Sequence, residues 1–246
     1  MRIDEDVYLI GSGALGAGYS HPSDCNVYAV RCGEEYWLID AGAGQETDRL
    51  LENLCADGVA PERVRRLLLT HGHLDHSGGA RWLRERCHLQ VCASTETAKA
   101  LASGDEEAIS LAAAKRAGIY PPNFPFEPCP VDCVYDGGEV WDFTGGSIEV
   151  LRTPGHSRDM LSYLIRLNGR LLLFGGDTIF HGGRILLSDV YDCDVPAYCR
   201  SIRLLADRHI DALFPGHMMW TVRDAHAHLQ KAVEHLDRLL LPPNLI

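Results

Sequence analysis

The stretch that decides the fold is Thr70-His71-Gly72-His73-Leu74-Asp75-His76-Ser77-Gly78-Gly79, residues 70–79 of the chain. It places three histidines and one aspartate within six positions. Imidazole and carboxylate ligands suit zinc, manganese, cobalt or ferrous iron, whereas structural zinc sites more often recruit cysteine. Four side chains so close in sequence diverge too much to converge on one ion, so the spacing predicts two neighbouring ions. His71 and His73 would bind one ion, and Asp75 with His76 would bind the other.

Further candidate ligands follow apolar runs elsewhere in the chain. Strand-like runs lead into Thr153-Pro154-Gly155-His156, into Gly175-Gly176-Asp177 and into Pro215-Gly216-His217. Earlier, the run 36–39 leads into Asp40, an acid suited to hold a metal-binding histidine in orientation. Because sites in mixed α/β sheets form where strands end, we expect these residues to share one site with the histidine-rich stretch.

Strand patterns followed by helical patterns occur twice along the 246 residues. That order predicts an α/β (α+β) fold in which mixed β-sheets are flanked by helices, here taken as a single domain over residues 1–246. A helical segment is predicted over 95–117, with a new helix start at Asp105. The proline-rich stretch 120–130 reads as an extended connection, and both a lid and a dimer contact remain open for it.

Composition narrows the possible partners. With 46% apolar and 23% charged residues the chain is typical of folded globular proteins. A net charge of −11 disfavours nucleic acid, and no apolar run approaches the ~20 residues of a membrane helix. The acidic N-terminus does not resemble a signal peptide, so nine cysteines are expected to be reduced thiols in the cytoplasm. A small-molecule substrate is the expected partner, and a homodimer is possible.

A second motif points to a different class of protein. Gly11-Ser12-Gly13-Ala14-Leu15-Gly16 matches the dinucleotide-binding fingerprint after a strand. A helix should open there, yet Gly18, Pro22 and another strand pattern follow. The stretch is therefore predicted to be a glycine-rich hairpin.

Taken together, the motifs resemble those of the metallo-β-lactamase superfamily. The resemblance rests on Ile39-Asp40-Ala41-Gly42, His71-Gly72-His73-Leu74-Asp75-His76, Thr153-Pro154-Gly155-His156, Gly176-Asp177 and Pro215-Gly216-His217. It implies a four-layer αββα sandwich of two mixed β-sheets flanked by helices, with metals at one edge between the sheets. By resemblance, His71, His73 and His156 hold the first ion. Asp75, His76 and His217 hold the second, and Asp177 bridges them.

The resemblance implies a binuclear hydrolase using two divalent ions, with zinc favoured and manganese, ferrous iron or cobalt as alternatives. A metal-bound hydroxide would open a small ester, lactone or thioester carbonyl, with Asp75 orienting the water. The family's true β-lactamases commonly carry cysteine where Asp177 stands, which disfavours β-lactam hydrolysis. Segments 71–79 and 153–156 resemble those of hydroxyacylglutathione hydrolases and acyl-homoserine lactonases. A mono-iron persulfide dioxygenase, using His71, His156 and Asp177, is the alternative of another class.

Residues that follow the predicted ligands are candidates for the substrate pocket. These are His181, Arg184, Tyr191 and Trp220. His226 and His228 lie two apart on a predicted helix, face different directions and are expected at the surface.

Overall fold

The computed structural model describes residues 1–188 and 190–245, and the chain forms two compact units, Met1–Tyr135 and Asp136–Ile246. Each unit contains one mixed β-sheet and its own helices. The single-domain assignment stays a prediction. No helix in the described part of the chain combines the length and apolarity needed to cross a bilayer.

The first unit is built on a six-stranded sheet in the order β1-β2-β3-β4-β5-β6. The first three strands are antiparallel neighbours and the last three join in parallel. The strands are β1 (Val7–Gly11), β2 (Val27–Cys32), β3 (Glu35–Ile39), β4 (Val64–Leu68), β5 (Gln90–Ala93) and β6 (Cys133–Val134). The helices are α1 (Asp48–Ala56), α2 (Leu74–Ser77), α3 (Ala80–Cys87), α4 (Thr95–Ser103) and α5 (Leu111–Arg116), with a 3₁₀ turn at Pro61–Arg63.

The helices of the first unit cover its sheet with apolar faces. Leu50, Leu51 and Leu54 of α1 are buried, as expected from their i, i+1, i+4 spacing, and lie in one core with strand residues such as Val27 and Leu38. Parallel strands cannot be joined by tight turns, so helices fill the crossovers between β3, β4 and β5. This arrangement brings the carboxyl ends of β3 and β4 to one edge.

The glycine-rich stretch 11–16 joins two antiparallel strands, β1 and β2. No helix opens there in the fully described 1–27 segment, so the dinucleotide interpretation fails and the predicted hairpin connection is confirmed. A Cβ atom at Gly13 would lie 2.4 Å from the backbone oxygen of Asp24. Glycine is required at this position by close backbone contact.

The predicted helical segment 95–117 forms two helices. The first ends at Gly104, which adopts a left-handed conformation with φ 71°. Asp105 caps a separate turn and not the second helix: its carboxylate accepts from the amides of Glu107 and Ala108, and this turn ends at Ser110. The second helix begins instead at Leu111, after Ser110 with φ 58°.

The second unit is built on a five-stranded sheet in the order β11-β10-β9-β8-β7. Its strands are antiparallel neighbours except for the parallel pair β10 and β11. The strands are β7 (Val140–Phe143), β8 (Gly146–Arg152), β9 (Leu161–Leu167), β10 (Arg170–Gly176) and β11 (Ala212–Pro215). The helices are α6 (Val195–Ala206) and α7 (His226–Asp237), with a 3₁₀ turn at His181–Gly183. Sequence analysis missed β7, whose residues are only half-buried or exposed.

Candidate metal centre

Four candidate ligands of the first unit, which we call the N-terminal cluster, lie on one short segment after β4: His71, His73, Asp75 and His76. The side chains of His71 and His76 are fully buried, and His73 is 8% exposed. The His71 ring centroid lies 4.6 Å from that of His73 and 4.1 Å from that of His76. Asp75 keeps a quarter of its side chain exposed. The local sequence therefore gathers three buried imidazoles beside one accessible carboxylate.

Asp40, which directly follows β3, positions histidines of this cluster through hydrogen bonds. Its carboxylate accepts from the Thr70 amide at 2.7 Å and from the Thr70 hydroxyl at 2.9 Å, and lies 2.8 Å from His76 Nδ1. The Thr70 oxygen in turn lies 3.0 Å from His71 Nδ1. Because a carboxylate only accepts, His76 Nδ1 carries the proton in its contact with Asp40. The Thr70 hydroxyl donates to Asp40, so its oxygen accepts from His71 Nδ1. Both rings therefore present an Nε2 lone pair for a metal.

Close backbone packing holds the cluster's segment against the loop after β3. The Ala41 amide donates to the His76 carbonyl at 2.7 Å, and the Gly79 amide donates to Gly42 at 3.1 Å. A Cβ at Gly79 would lie 2.2 Å from the Ala41 oxygen, and one at Gly78 would lie 2.4 Å from the Ala43 oxygen. Glycine at positions 78 and 79 is therefore needed for this close backbone contact.

The second unit contains three candidate ligands, which we call the C-terminal cluster: His156, Asp177 and His217. They follow β8, β10 and β11, whose carboxyl ends point to the same edge of the sheet. Asp177 Oδ2 lies 3.5 Å from His156 Nε2 and 3.4 Å from His217 Nε2. These separations exceed ordinary hydrogen bonds and suit ligand atoms directed at a common cation.

Backbone groups and one tyrosine hold the C-terminal cluster in place. His156 Nδ1 donates to the Leu186 carbonyl at 2.9 Å, so Nε2 faces Asp177 as an acceptor. The Tyr198 hydroxyl donates to the Asp177 backbone carbonyl and accepts from the Leu186 amide. All three ligands are at least nine-tenths buried. Each cluster thus supplies nitrogen and oxygen donors of the type that binds zinc, manganese or iron.

Residues 22–217 match the family model described as the metallo-beta-lactamase superfamily. The chain belongs to the metallo-β-lactamase superfamily. Solved structures with the same fold include a metallo-β-lactamase of Cronobacter sakazakii, at 24% identity and TM-score 0.66 over 86% of this chain and 78% of that one. Another is the FEZ-1 metallo-β-lactamase of Legionella gormanii, at 17% identity and TM-score 0.69 over 97% of this chain and 94% of that one. The predicted fold class, two mixed sheets with flanking helices, is confirmed.

Curated relatives within the superfamily include hydrolases. An atrochrysone carboxyl ACP thioesterase of Aspergillus fumigatus is 26% identical over 78% of this chain, which spans only 50% of that protein. A "probable metallo-hydrolase" of Methanocaldococcus jannaschii is 30% identical over 81% of this chain and 89% of its own length. A hydroxyacylglutathione hydrolase of Haemophilus influenzae is 30% identical over 59% of this chain and 62% of its own length. These similarities support the predicted hydrolase class.

The sequence did not indicate the position of Cys25, a buried thiol two residues before β2. Ligand-type atoms of Cys25, Asp40 and His76 all lie within 4.8 Å of one another. The Cys25 amide also donates to the Asp75 carbonyl at 3.2 Å. Burial raises the pKa of the Cys25 thiol to about 12, so it remains a neutral packing partner of the N-terminal cluster at neutral pH. A cysteine between polar residues far from the histidine motif carries no local signal of this contact.

The proline-rich stretch packs against the core of the first unit. Phe124 and Cys129 are buried, and Tyr120, whose ring lies 4.6 Å from that of Phe124, packs partly buried on the same core. Burial and the charge of Asp75 raise the pKa of Tyr120 above its usual range. The stretch thus brings a neutral phenol within electrostatic range of the N-terminal cluster. Its suggested roles as lid or dimer contact stay predictions.

The four predicted pocket residues all lie in the second unit. His181 and Arg184 are exposed, Tyr191 is 65% exposed and Trp220 is half-buried. Tyr191 lines a cleft of that unit, together with Arg152 and other residues. His181 packs its ring 4.4 Å from His228.

The predicted surface position of His228 is wrong. His228 is 8% exposed, its Nδ1 accepts from the Gly182 amide at 3.1 Å, and its Nε2 donates to the Thr221 hydroxyl at 2.9 Å. Burial lowers the pKa of this imidazole. The spacing of His226 and His228 on α7 indicates only that their side chains diverge, and not which of the two faces the core. His226 is half-buried beside Gln230.

Proposed function

We propose that this chain is a metal-dependent hydrolase that cleaves a thioester, ester or lactone bond of a small molecule. The observation that carries the proposal is the anchoring of the imidazoles: His71, His76 and His156 each use Nδ1 within the protein and present Nε2. Such anchoring is characteristic of metal-binding histidines. The thioesterase and hydroxyacylglutathione hydrolase among the relatives support acyl hydrolysis.

Two divalent ions, with zinc favoured by the nitrogen and oxygen donors, are part of this proposal. The proposed ligands are the members of the two clusters: His71, His73, Asp75, His76, His156, Asp177 and His217. Bound ions of this kind lower the pKa of a water molecule and polarise a substrate carbonyl. The assignment of Asp177 as the shared ligand is supported by its 3.4 Å and 3.5 Å approaches to two imidazoles.

The protein's own groups would orient the reactants. Asp75 is the one member of the N-terminal cluster with substantial exposure, so its carboxylate can accept a hydrogen bond from an incoming water. The buried carboxylate of Asp40 keeps His76 in the required tautomer and balances charge on the imidazole. No cysteine or serine nucleophile is needed. Nine free thiols, none in a disulfide, support a reducing, cytoplasmic location as part of the proposal, and a homodimer stays a prediction.

Metal analysis combined with a hydrolysis panel tests the proposal. We expect about two zinc-class ions per chain, turnover of at least one thioester, ester or lactone, and loss of turnover after chelation with recovery on adding zinc. His209→Gln, which changes an exposed histidine outside both clusters, should leave metal content and turnover unchanged. One iron per chain with oxygen consumption on a persulfide would overturn the proposal in favour of a dioxygenase. Turnover of β-lactams alone would replace it with a β-lactamase.

A further inference from the structure

A cleft of about 340 Å³ lies in the second unit, formed by the end of β8, the loop after it and the start of α6. A second cleft of about 350 Å³ shares Arg152, Pro154, Ala197 and Arg200 with it, so the two are continuous. Three arginines line the first: Arg152, Arg158 and Arg200. We call this feature the arginine cleft. The lining of this cleft has more basic than acidic side chains, whereas the chain as a whole carries a net charge of −11.

Two of the three guanidinium groups of the arginine cleft are accessible to a ligand. Arg158 and Arg200 are exposed, and neither pairs with an acid within residues 1–188 and 190–245. Arg152 donates to the Arg158 carbonyl at 3.1 Å, which fixes its guanidinium within the cleft. Its contact with Asp136, at 3.4 Å and half-exposed, is a weak surface ion pair.

Two acids also line the cleft, and both are engaged by backbone amides. The Asp194 carboxylate accepts from the Ala197 amide at 2.9 Å and caps α6. Asp192 is 5% exposed, and its carboxylate accepts from the Arg158 amide at 3.3 Å. Each contact engages one oxygen of a carboxylate, and Asp194 stays exposed. The three guanidinium groups still outnumber the two carboxylates in the lining of the cleft.

Hydrogen bonds connect the arginine cleft to the loop that bears His156. The Asp194 amide donates to the Gly155 carbonyl at 2.8 Å, and the Ser201 hydroxyl donates to the Pro154 carbonyl at 2.7 Å. Pro154 and Arg158 lie two residues before and after His156, and both line the cleft. A group bound there therefore lies beside the segment that presents this candidate metal ligand.

We propose that the arginine cleft binds a phosphate group of the substrate, so that the substrate class is a phosphate-bearing thioester or ester. This inference rests on the proposed acyl hydrolysis. Several guanidinium forks match the charge and oxygen geometry of a phosphate better than those of a single carboxylate. Tyr191, 65% exposed in the same cleft, offers a ring and a hydroxyl to the chain attached to that phosphate.

Binding to the metal-free protein tests the cleft without relying on catalysis. The probes are 4′-phosphopantetheine and pantetheine, which differ only by the phosphate, titrated calorimetrically into chelator-treated protein. We expect the phosphorylated probe to bind at least about tenfold more tightly. Arg158→Gln and Arg200→Gln should each remove most of that preference, while Arg166→Gln, an exposed arginine on β9 outside the cleft, should preserve it. Equal binding of both probes, or preference unchanged in the two cleft variants, overturns the inference.

Kinetics with the metal-loaded enzyme provide the second arm. S-acetyl-4′-phosphopantetheine should show a KM about tenfold below that of S-acetylpantetheine. The two cleft variants should raise the KM of the phosphorylated substrate and leave the KM of the other substrate and both kcat values unchanged. Inorganic phosphate should compete weakly, and competition as strong as that of the phosphorylated probe would overturn the substrate assignment in favour of a free-phosphate site. Phosphate-dependent binding without hydrolysis of any thioester or ester refutes the proposed activity and leaves the cleft established as a phosphate site. Hydrolysis with no phosphate preference refutes only the cleft.

Discussion

The N-terminal and C-terminal clusters use the same donor types but are assembled in different ways. The first takes four side chains from one segment after β4 and orients two of its histidines through Asp40 and Thr70. The second takes one side chain from the end of each of three strands and orients His156 through a backbone carbonyl. The orientation of ligands in the N-terminal cluster therefore depends on a single buried carboxylate, that of Asp40. The placement of ligands in the C-terminal cluster depends on the register of a sheet.

The largest expected effect comes from removing one ligand of each cluster. His71→Ala and Asp177→Ala should each lower kcat/KM by roughly a thousandfold or more, because loss of metal-derived stabilisation costs several kcal/mol at the transition state. Hydrolysis assays and metal content per chain measure the result. Circular dichroism should show an intact fold. Full activity in either variant contradicts the assignment of that cluster.

Asp40→Asn tests the dependence of the N-terminal cluster on one carboxylate. The amide is similar in size but cannot balance charge on His76, so we expect metal affinity or activity to fall about 10–100-fold. Asp6→Asn is the matched control, since Asp6 is also a buried carboxylate but pairs with Arg31. Metal titration and kcat/KM are measured for both variants. Equal effects of the two changes would mean that Asp40 has only a general structural role.

Tyr198→Phe tests how the C-terminal cluster is held. Losing the hydroxyl leaves the Leu186 amide and the Asp177 carbonyl without this partner, so the free energy of unfolding should fall by about 1–3 kcal/mol. Because the ligand side chains remain, activity should fall less than in Asp40→Asn. Chemical denaturation and kcat/KM measure the two effects. A large loss of metal affinity without loss of stability would reverse the expected contrast.

The smallest expected effect concerns a buried histidine outside both clusters. Burial lowers the pKa of His228 in the folded state, so the unfolded chain binds its proton more readily. The contribution of His228 to stability is therefore complete above its unfolded pKa of about 6.5 and is lost as the pH falls below it. We measure the free energy of unfolding of the metal-saturated proteins between pH 5 and 8. As the pH falls, it should decrease less for His228→Gln than for the wild type. The same dependence of unfolding free energy on pH in both proteins would contradict the lowered pKa of His228.

Several features were predictable from sequence because their causes are local. The histidine-rich stretch 70–79 and the strand-to-glycine exits before Asp177 and His217 carry their signal in adjacent residues, and the structure places them as two clusters within the units. The hairpin at 11–16 was predictable because a second strand pattern follows at once. The helix after Gly104 was placed too early, because Asp105 caps only a turn and Ser110, with φ 58°, separates that turn from the helix that begins at Leu111.

The amino-acid sequence by itself determined which residues are metal-ligand candidates, where apolar runs form strands and which superfamily the chain belongs to, since motifs and periodicity are local properties. Only the tertiary structure decided that Cys25 packs beside His76, that Tyr120 comes within range of Asp75 and that Arg158 and Arg200 share a cleft. These contacts join residues far apart in the chain. They depend on strand register and loop packing, which local patterns of hydrophobicity do not encode.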